Sequence, residues 1–66
     1  MQTCLKSYED KNHYCEMVQS DNLLIVSVHE LYDDLASYPL KKAVYSVHDR
    51  KNATATYNRY IKMYCK

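Results

Sequence analysis

Six side chains of this 66-residue chain belong to the types that ligate metals or attack substrates. They are Cys4, His13, Cys15, His29, His48 and Cys65. Zinc sites in small domains usually consist of two close pairs of ligands, because one turn must offer both members of a pair to the same tetrahedral ion. His13 and Cys15 form the one close pair in this chain, so the sequence predicts no metal site and no cofactor.

The same pair is the best candidate for a reactive thiol. On a strand, His13 and Cys15 at positions i and i+2 would share a face, which would bring the imidazole near the thiol. A catalytic thiol also needs a third group that orients the histidine and a groove that holds a substrate, and the sequence names neither. We therefore predict that the protein is not an enzyme, and we rank a metal-dependent or thiol enzyme as the least favoured alternative.

An acidic cluster, Glu30, Asp33 and Asp34, is the second set of chemically active side chains. If this segment is helical, Asp33 and Asp34 point about 100° apart and cannot act together on one bond. The three carboxylates could instead form an acidic patch that docks a basic partner. They are candidate partner-binding residues.

Tyrosines and cations interleave near the C-terminal end. Eight tyrosines occur in the chain, and three of them, Tyr57, Tyr60 and Tyr64, alternate with basic residues. Binders of single-stranded nucleic acid combine stacking rings with phosphate contacts in this way. Tyrosine is also enriched at protein interfaces, and we favour a protein-binding surface. The candidate residues on it are Arg50, Lys51, Arg59, Lys62 and Tyr60.

Charge and cysteine content bound the class of protein. Residues 1–49 hold eight acids against four lysines, a net charge of −4, whereas residues 50–66 hold five cations and no acid. Three irregularly spaced cysteines suit a reducing compartment, and the longest apolar run, 23–26, is far too short to span a bilayer. We expect a cytoplasmic protein, in its own cell or in a host, without a membrane partner.

Turns must be made without glycine, which is absent, so Asn, Asp and Ser mark the breaks near 10–12, 20–22, 38–39 and 50–52. The first break predicts a hairpin with a three-residue loop that ends in a left-handed Asn12. This register places Lys6 opposite Glu16 and Tyr8 opposite Tyr14, pairs that a sheet face favours.

The middle of the chain reads as a strand followed by a short helix. A β-branched run over 23–26 predicts a buried strand. Ser27 and Glu30 then have the spacing of a capping box, which predicts a helix that ends before Pro39. The next segment, "LKKAVYSVHD", alternates as a strand would.

The last segment fits both a strand and a helix. As a helix capped by Asn52, it presents one apolar stripe: Ala53, Tyr57, Tyr60, Ile61 and Tyr64. A strand of the same length would overrun its partner, so we choose the helix. The predicted fold is a single α+β domain, 1–66, in which two helices cover one face of an antiparallel sheet of three or four strands. The expected order is β-β-β-α-β-α, and an all-α bundle is the alternative.

A domain of this size buries only about 60% of its unfolded surface, so its stability is expected to be about 3 to 5 kcal/mol. Our leading hypothesis is a non-enzymatic interaction protein that binds a larger protein or ribonucleoprotein complex and inhibits or modulates it. Tiny chains of this composition resemble, as a class, accessory and anti-defence proteins of bacteriophages and mobile elements. The alternative is a nucleic-acid-binding regulator that uses the basic C-terminal segment, and a homodimer is compatible with either hypothesis.

Overall fold

The computed structural model describes residues 2–31 and 37–65. Within these residues four strands form one antiparallel sheet in sequence order, and a helix follows them. The elements are β1 (Gln2–Glu9), β2 (His13–Ser20), β3 (Leu23–Leu31), β4 (Ser37–Ser46), a short 3-10 turn (Val47–Asp49) and α1 (Arg50–Tyr64). The predicted α+β class is confirmed.

The predicted helix that begins after Ser27 is wrong in the part that the structure describes. β3 continues to Leu31, so Ser27 and Glu30 are strand residues and do not form a capping box. The alternation of Leu24, Val26 and Val28 toward one face explains this result, because burying three side chains outweighs a weak local capping preference. The rest of the predicted helix, 32–36, lies outside the described residues. The observed order over those residues is β-β-β-β-α, with one helix in place of the predicted two.

The β1–β2 hairpin forms where it was predicted, but its register differs by one residue over Lys6–Glu9. A bulge between Cys4 and Lys6 returns Gln2–Cys4 to the predicted register. Glu9 lies opposite Tyr14 and Lys6 opposite Met17, so the expected pairs of Lys6 with Glu16 and of Tyr8 with Tyr14 are wrong. The Asp10 N–H donates to the His13 carbonyl at 2.7 Å, which makes the turn longer than the predicted loop.

Asn12 is not left-handed, because Asp21 is the one non-glycine residue with a positive φ in the described parts of the chain. The Asn12 carbonyl instead accepts a hydrogen bond from the Leu31 N–H at 2.8 Å, which ties the first turn to β3. Asp21 has φ 55° and makes the tight turn between β2 and β3, a conformation that aspartate tolerates better than most residues.

β4 is an edge strand, and its alternation agrees with the prediction as far as Ser46. Pro39 lies opposite His29, next to a bulge in the β3–β4 pairing. Proline has no N–H to donate, so an edge strand beside a bulge is a position where it can be accommodated.

The C-terminal helix is confirmed, although it begins earlier than expected. α1 begins at Arg50 after Asp49, so Asn52 is a residue of the first turn and the predicted Asn52 cap is wrong. The Asn52 amide nitrogen instead donates to the Asp49 carboxylate at 2.8 Å. The buried core lies between this helix and one face of the sheet. Its members are Cys15, Met17, Leu24, Val26, Val28, Ala53, Tyr57, Tyr60 and Cys65.

Candidate interaction surfaces

The two faces of the sheet have different environments. Residues that pair directly across antiparallel strands share a face, and successive residues of a strand point to opposite faces. The face that carries Met17 and Val26 packs against α1, and both side chains are fully buried. We call this face the covered face and the opposite one the open face, because no described element packs on it.

An apolar row crosses the open face. The strand register aligns Cys4 with Val18, Val18 with Ile25, and Ile25 with Val44, so one row extends over all four strands. Val44 is 51% exposed, and its neighbour Leu23 is 47% exposed. Apolar side chains that stay exposed in one contiguous group often mark an interaction surface.

A polar row lies beside the apolar one. Glu16 on β2 pairs with Ser27 on β3, which pairs with Lys42 on β4. The two rows border a concavity of ≈ 360 Å³. Its lining consists of Gln2, Glu16, Val18, Ile25, Ser27, His29, Pro39 and Lys42.

Hydrogen bonds organise one end of this concavity. The Tyr14 hydroxyl donates to Glu16 Oε2 at 3.1 Å, and His29 Nε2 lies 3.1 Å from Ser27 Oγ and 4.0 Å from Glu16 Oε1. Burial, reinforced by the hydrogen bond to Glu16, raises the pKa of Tyr14 to about 12. Tyr14 is therefore a fixed donor at neutral pH, and it holds the Glu16 carboxylate in place.

The group of Ser27, His29 and Glu16 does not have the geometry of a hydrolytic triad. In a triad one imidazole nitrogen takes the serine proton while the other nitrogen bonds the carboxylate. Here Nε2 faces both Ser27 and Glu16, and the buried Nδ1 has no hydrogen-bond partner among the described residues. This arrangement cannot relay a proton from Ser27 through His29 to Glu16.

Cys15, the candidate reactive thiol, belongs to the buried core. Cys15 is fully buried, and burial, with a smaller contribution from the neighbouring Cys65, raises the pKa of its thiol to about 12. A thiol in this environment stays protonated at neutral pH and is a poor nucleophile. His13 lies near the end of α1, where its ring centroid is 6.0 Å from that of Tyr64.

The predicted basic residues of α1 are exposed. Lys51, Arg59 and Lys62 lie within about 80° of one another around the helix axis, whereas Arg50 lies in the first turn, on the opposite side from Arg59. Arg50, Lys51, Arg59 and Lys62 are all exposed, and the helix contains no acid. None of the four forms an ion pair with a residue that the structure describes. We call these four residues the basic ridge.

Tyr60 was predicted to belong to the same surface, but the structure places it in the core. Tyr60 is 8% exposed and Tyr57 is 5% exposed, so both rings pack against the sheet. Lys6 Nζ lies 6.0 Å from the centroid of the Tyr57 ring, on the strand side of the helix. The basic ridge therefore presents cations without the rings that would stack on bases.

Of the predicted acidic patch, the structure describes Glu30 alone. Glu30 lies on β3, half-buried and opposite His13 in the strand register. Asp33 and Asp34 are outside the described residues.

Sequence reasoning missed the open face, because its rows depend on the register of all four strands. The one available signal was that apolar residues of the 23–28 segment would point to both faces of a strand, which indicates that neither face is fully polar.

Comparison with known proteins gives no relative: no family model, no curated protein and no solved structure matches the chain. Among the residues in 2–31 and 37–65, no helix is long and apolar enough to cross a membrane. In the same residues no group of three or more histidine, cysteine or acidic side chains is placed to hold a metal ion. The proposed function therefore rests on the surfaces described above.

Proposed function

We propose that this protein is a non-enzymatic interaction module that binds a larger protein, alone or within a ribonucleoprotein, through the basic ridge of α1. The observation that carries the proposal is the charge of that helix. Four exposed cations lie on an element without acids and form no ion pair with any described residue. Such a surface is complementary to an acidic patch, and unpaired charges of one sign speed the encounter with a partner of opposite charge.

An exposed methionine beside the cations favours a protein partner. Met63 is about half exposed and lies one helical turn beyond Arg59, so the two side chains are neighbours on the helix surface. Arginine and methionine are enriched in the buried centres of protein interfaces, whereas stacking rings characterise binding to single-stranded nucleic acid. The buried positions of Tyr57 and Tyr60 remove two such rings from the surface.

The proposed mode of action is occlusion. A rigid domain that docks on an acidic surface blocks whatever that surface would otherwise bind, and it needs no chemistry of its own. This is how an accessory or anti-defence protein of a bacteriophage would inhibit a host complex, which is the origin that we propose for the chain.

The test compares proteins that copurify with three forms of the chain. The double variant Arg59→Ala/Lys62→Ala removes two charges from the basic ridge, and Lys11→Ala/Lys41→Ala removes two charges elsewhere. Nuclease-treated extracts are used, and bound proteins are quantified by mass spectrometry. We expect a partner that is retained by wild type and by Lys11→Ala/Lys41→Ala but lost from the ridge variant. Equal retention by all three forms would contradict the proposal.

The second candidate function is nucleic-acid binding, which the clustered cations also favour. A mobility-shift assay with duplex and single-stranded DNA and RNA at about 50 mM salt tests it, since non-specific binders are detectable under that condition. We expect no shift. A shift that falls steeply with salt and disappears in Arg59→Ala/Lys62→Ala would replace the protein partner with a nucleic acid.

A further inference from the structure

We propose that the open face of the sheet docks on the open face of a second copy of this chain, giving a symmetric dimer. In this dimer two four-stranded sheets pack face to face, and both α1 helices lie on the outside. The basic ridge is on the far side of each sheet, so it stays accessible to another partner. This inference uses a different surface from the proposed function and does not depend on it.

The apolar row supplies the first argument. Val18, Ile25 and Val44 form a line across the sheet, and Val44 is among the most exposed large apolar side chains of the described residues. In two-sheet sandwiches such rows face one another about 10 Å apart. A second copy would cover the row as α1 covers the opposite face.

Charge complementarity identifies the occupant as a second copy. Glu16 and Lys42 lie on either side of Ser27, one strand away in each direction, or about 5 Å on each side. A two-fold axis parallel to β3, midway between the two packed sheets and about 5 Å above Ser27, exchanges the two sides. It places Glu16 of each copy opposite Lys42 of the other copy, so two complementary charge pairs form together. The face is self-complementary, as an isologous interface requires.

Shape agrees with the same axis. Val18 lines the concavity, whereas the side chain of Val44 is about half exposed and lies outside the lining. The axis that pairs Glu16 with Lys42 also places the exposed Val44 of one copy over Val18 of the other. The exposed Val44 side chain of each copy therefore faces the concavity of its partner.

The area buried between the two copies determines how stable the dimer is expected to be. With the axis above β3, the two copies overlap over β2, β3 and β4, and each β1 lies outside the contact. Three strands of about eight residues present roughly 400 Å² per face, so the dimer would bury about 800 Å² in total. This value is below the range of stable specific interfaces and is typical of weak, transient ones. We expect a dimer that dissociates in the micromolar range.

Charge reversal tests the proposal by analytical ultracentrifugation over a concentration series. Wild type is expected to form a dimer as its concentration rises through the micromolar range. Glu16→Lys and Lys42→Glu each place two like-charge pairs across the interface and should weaken the dimer more than about tenfold. The double variant Glu16→Lys/Lys42→Glu restores opposite charges, and its dimer constant should return to within about threefold of wild type.

Loss of the Tyr14 hydrogen bond is common to Glu16→Lys and to the double variant, so their comparison isolates the contact between copies. Circular dichroism checks that each variant is folded. Arg59→Ala/Lys62→Ala should leave the dimer constant unchanged, which separates this test from that of the proposed function. A wild-type protein that remains monomeric at about 500 µM, far above the expected micromolar range, would overturn the proposal. So would a double variant that dimerises no better than Glu16→Lys.

Discussion

The covered and open faces of the sheet are built by the same strands, yet they differ in what closes them. On the covered face, Met17 and Val26 are sealed by α1, while on the open face Val44 and Leu23 stay about half exposed. Both faces carry an apolar row, but among residues 2–31 and 37–65 only the covered face has a helix that buries it. The packing of α1 thus accounts for the apolar row of the covered face but not for the exposed Val44 and Leu23 of the open face.

Thiol labelling should give the largest contrast. Cys4 is exposed, whereas Cys15 is fully buried in the core and has a raised thiol pKa. Reaction of Cys15 with a thiol reagent requires opening of the core, and a stability of about 3 to 5 kcal/mol corresponds to roughly 100- to 5,000-fold slower labelling. Mass spectrometry of the native protein measures the two rates. Comparable rates for Cys4 and Cys15 would show that the covered face is not closed.

Core truncation should separate the faces energetically. Met17→Ala leaves a cavity under α1 and should lower the free energy of unfolding by about 2 to 5 kcal/mol, most of the total stability. Val44→Ala removes two exposed methyl groups and should cost less than about 0.5 kcal/mol in the monomer. Urea unfolding at about 1 µM, where monomer dominates, measures both values. Equal costs would contradict the assignment of one covered and one open face.

Alkaline pH should destabilise the protein through its covered face. Above about pH 9 the Cys15 thiol ionises in the unfolded chain, but its pKa of about 12 keeps it protonated in the fold. The unfolded state then binds fewer protons, so the free energy of unfolding falls as pH rises from about 9 toward 12. Urea titrations across this window measure the slope. Cys15→Ala should decline less steeply, and an identical slope would contradict this origin.

A single hydrogen bond between β4 and α1 should have the smallest effect. The Tyr45 hydroxyl bonds the Thr56 hydroxyl and links the edge strand to the helix. Tyr45→Phe keeps the ring and should cost about 0.5 to 1.5 kcal/mol. Thr56→Val is the matched partner variant, and the double variant should cost less than the two single ones together. Full additivity would show that the bond does not stabilise the helix on the sheet.

Local sequence patterns predicted the elements whose own residues form a single apolar stripe or a simple alternation. The apolar stripe that includes Ala53, Tyr57 and Tyr60 was sufficient to predict a C-terminal helix, and alternation was sufficient for β4 up to Ser46. The hairpin register was not predictable in this way. It depends on the longer turn that begins at Asp10 and on the hydrogen bond from the Leu31 N–H to the Asn12 carbonyl in that turn.

The helix predicted after Ser27 shows a second limit of local reasoning. A capping box is a preference of a few residues, whereas the length of β3 is decided by pairing with strands on both sides. The cations of the basic ridge could be predicted from the sequence, because the exposed residues of a helix follow from the apolar pattern of that one segment. The open face could not be found, since its rows combine residues from four strands.

Cysteine scanning at two protein concentrations tests most directly how each face is closed. Val26→Cys and Val44→Cys are made separately in a Cys4→Ser background, and labelling rates are measured at about 1 µM and about 300 µM, on either side of the expected dimer constant. We predict slow labelling of Val26→Cys at both concentrations. Val44→Cys should label fast at the low concentration and several-fold more slowly at the high one. Labelling of Val44→Cys that does not change with concentration would contradict the account.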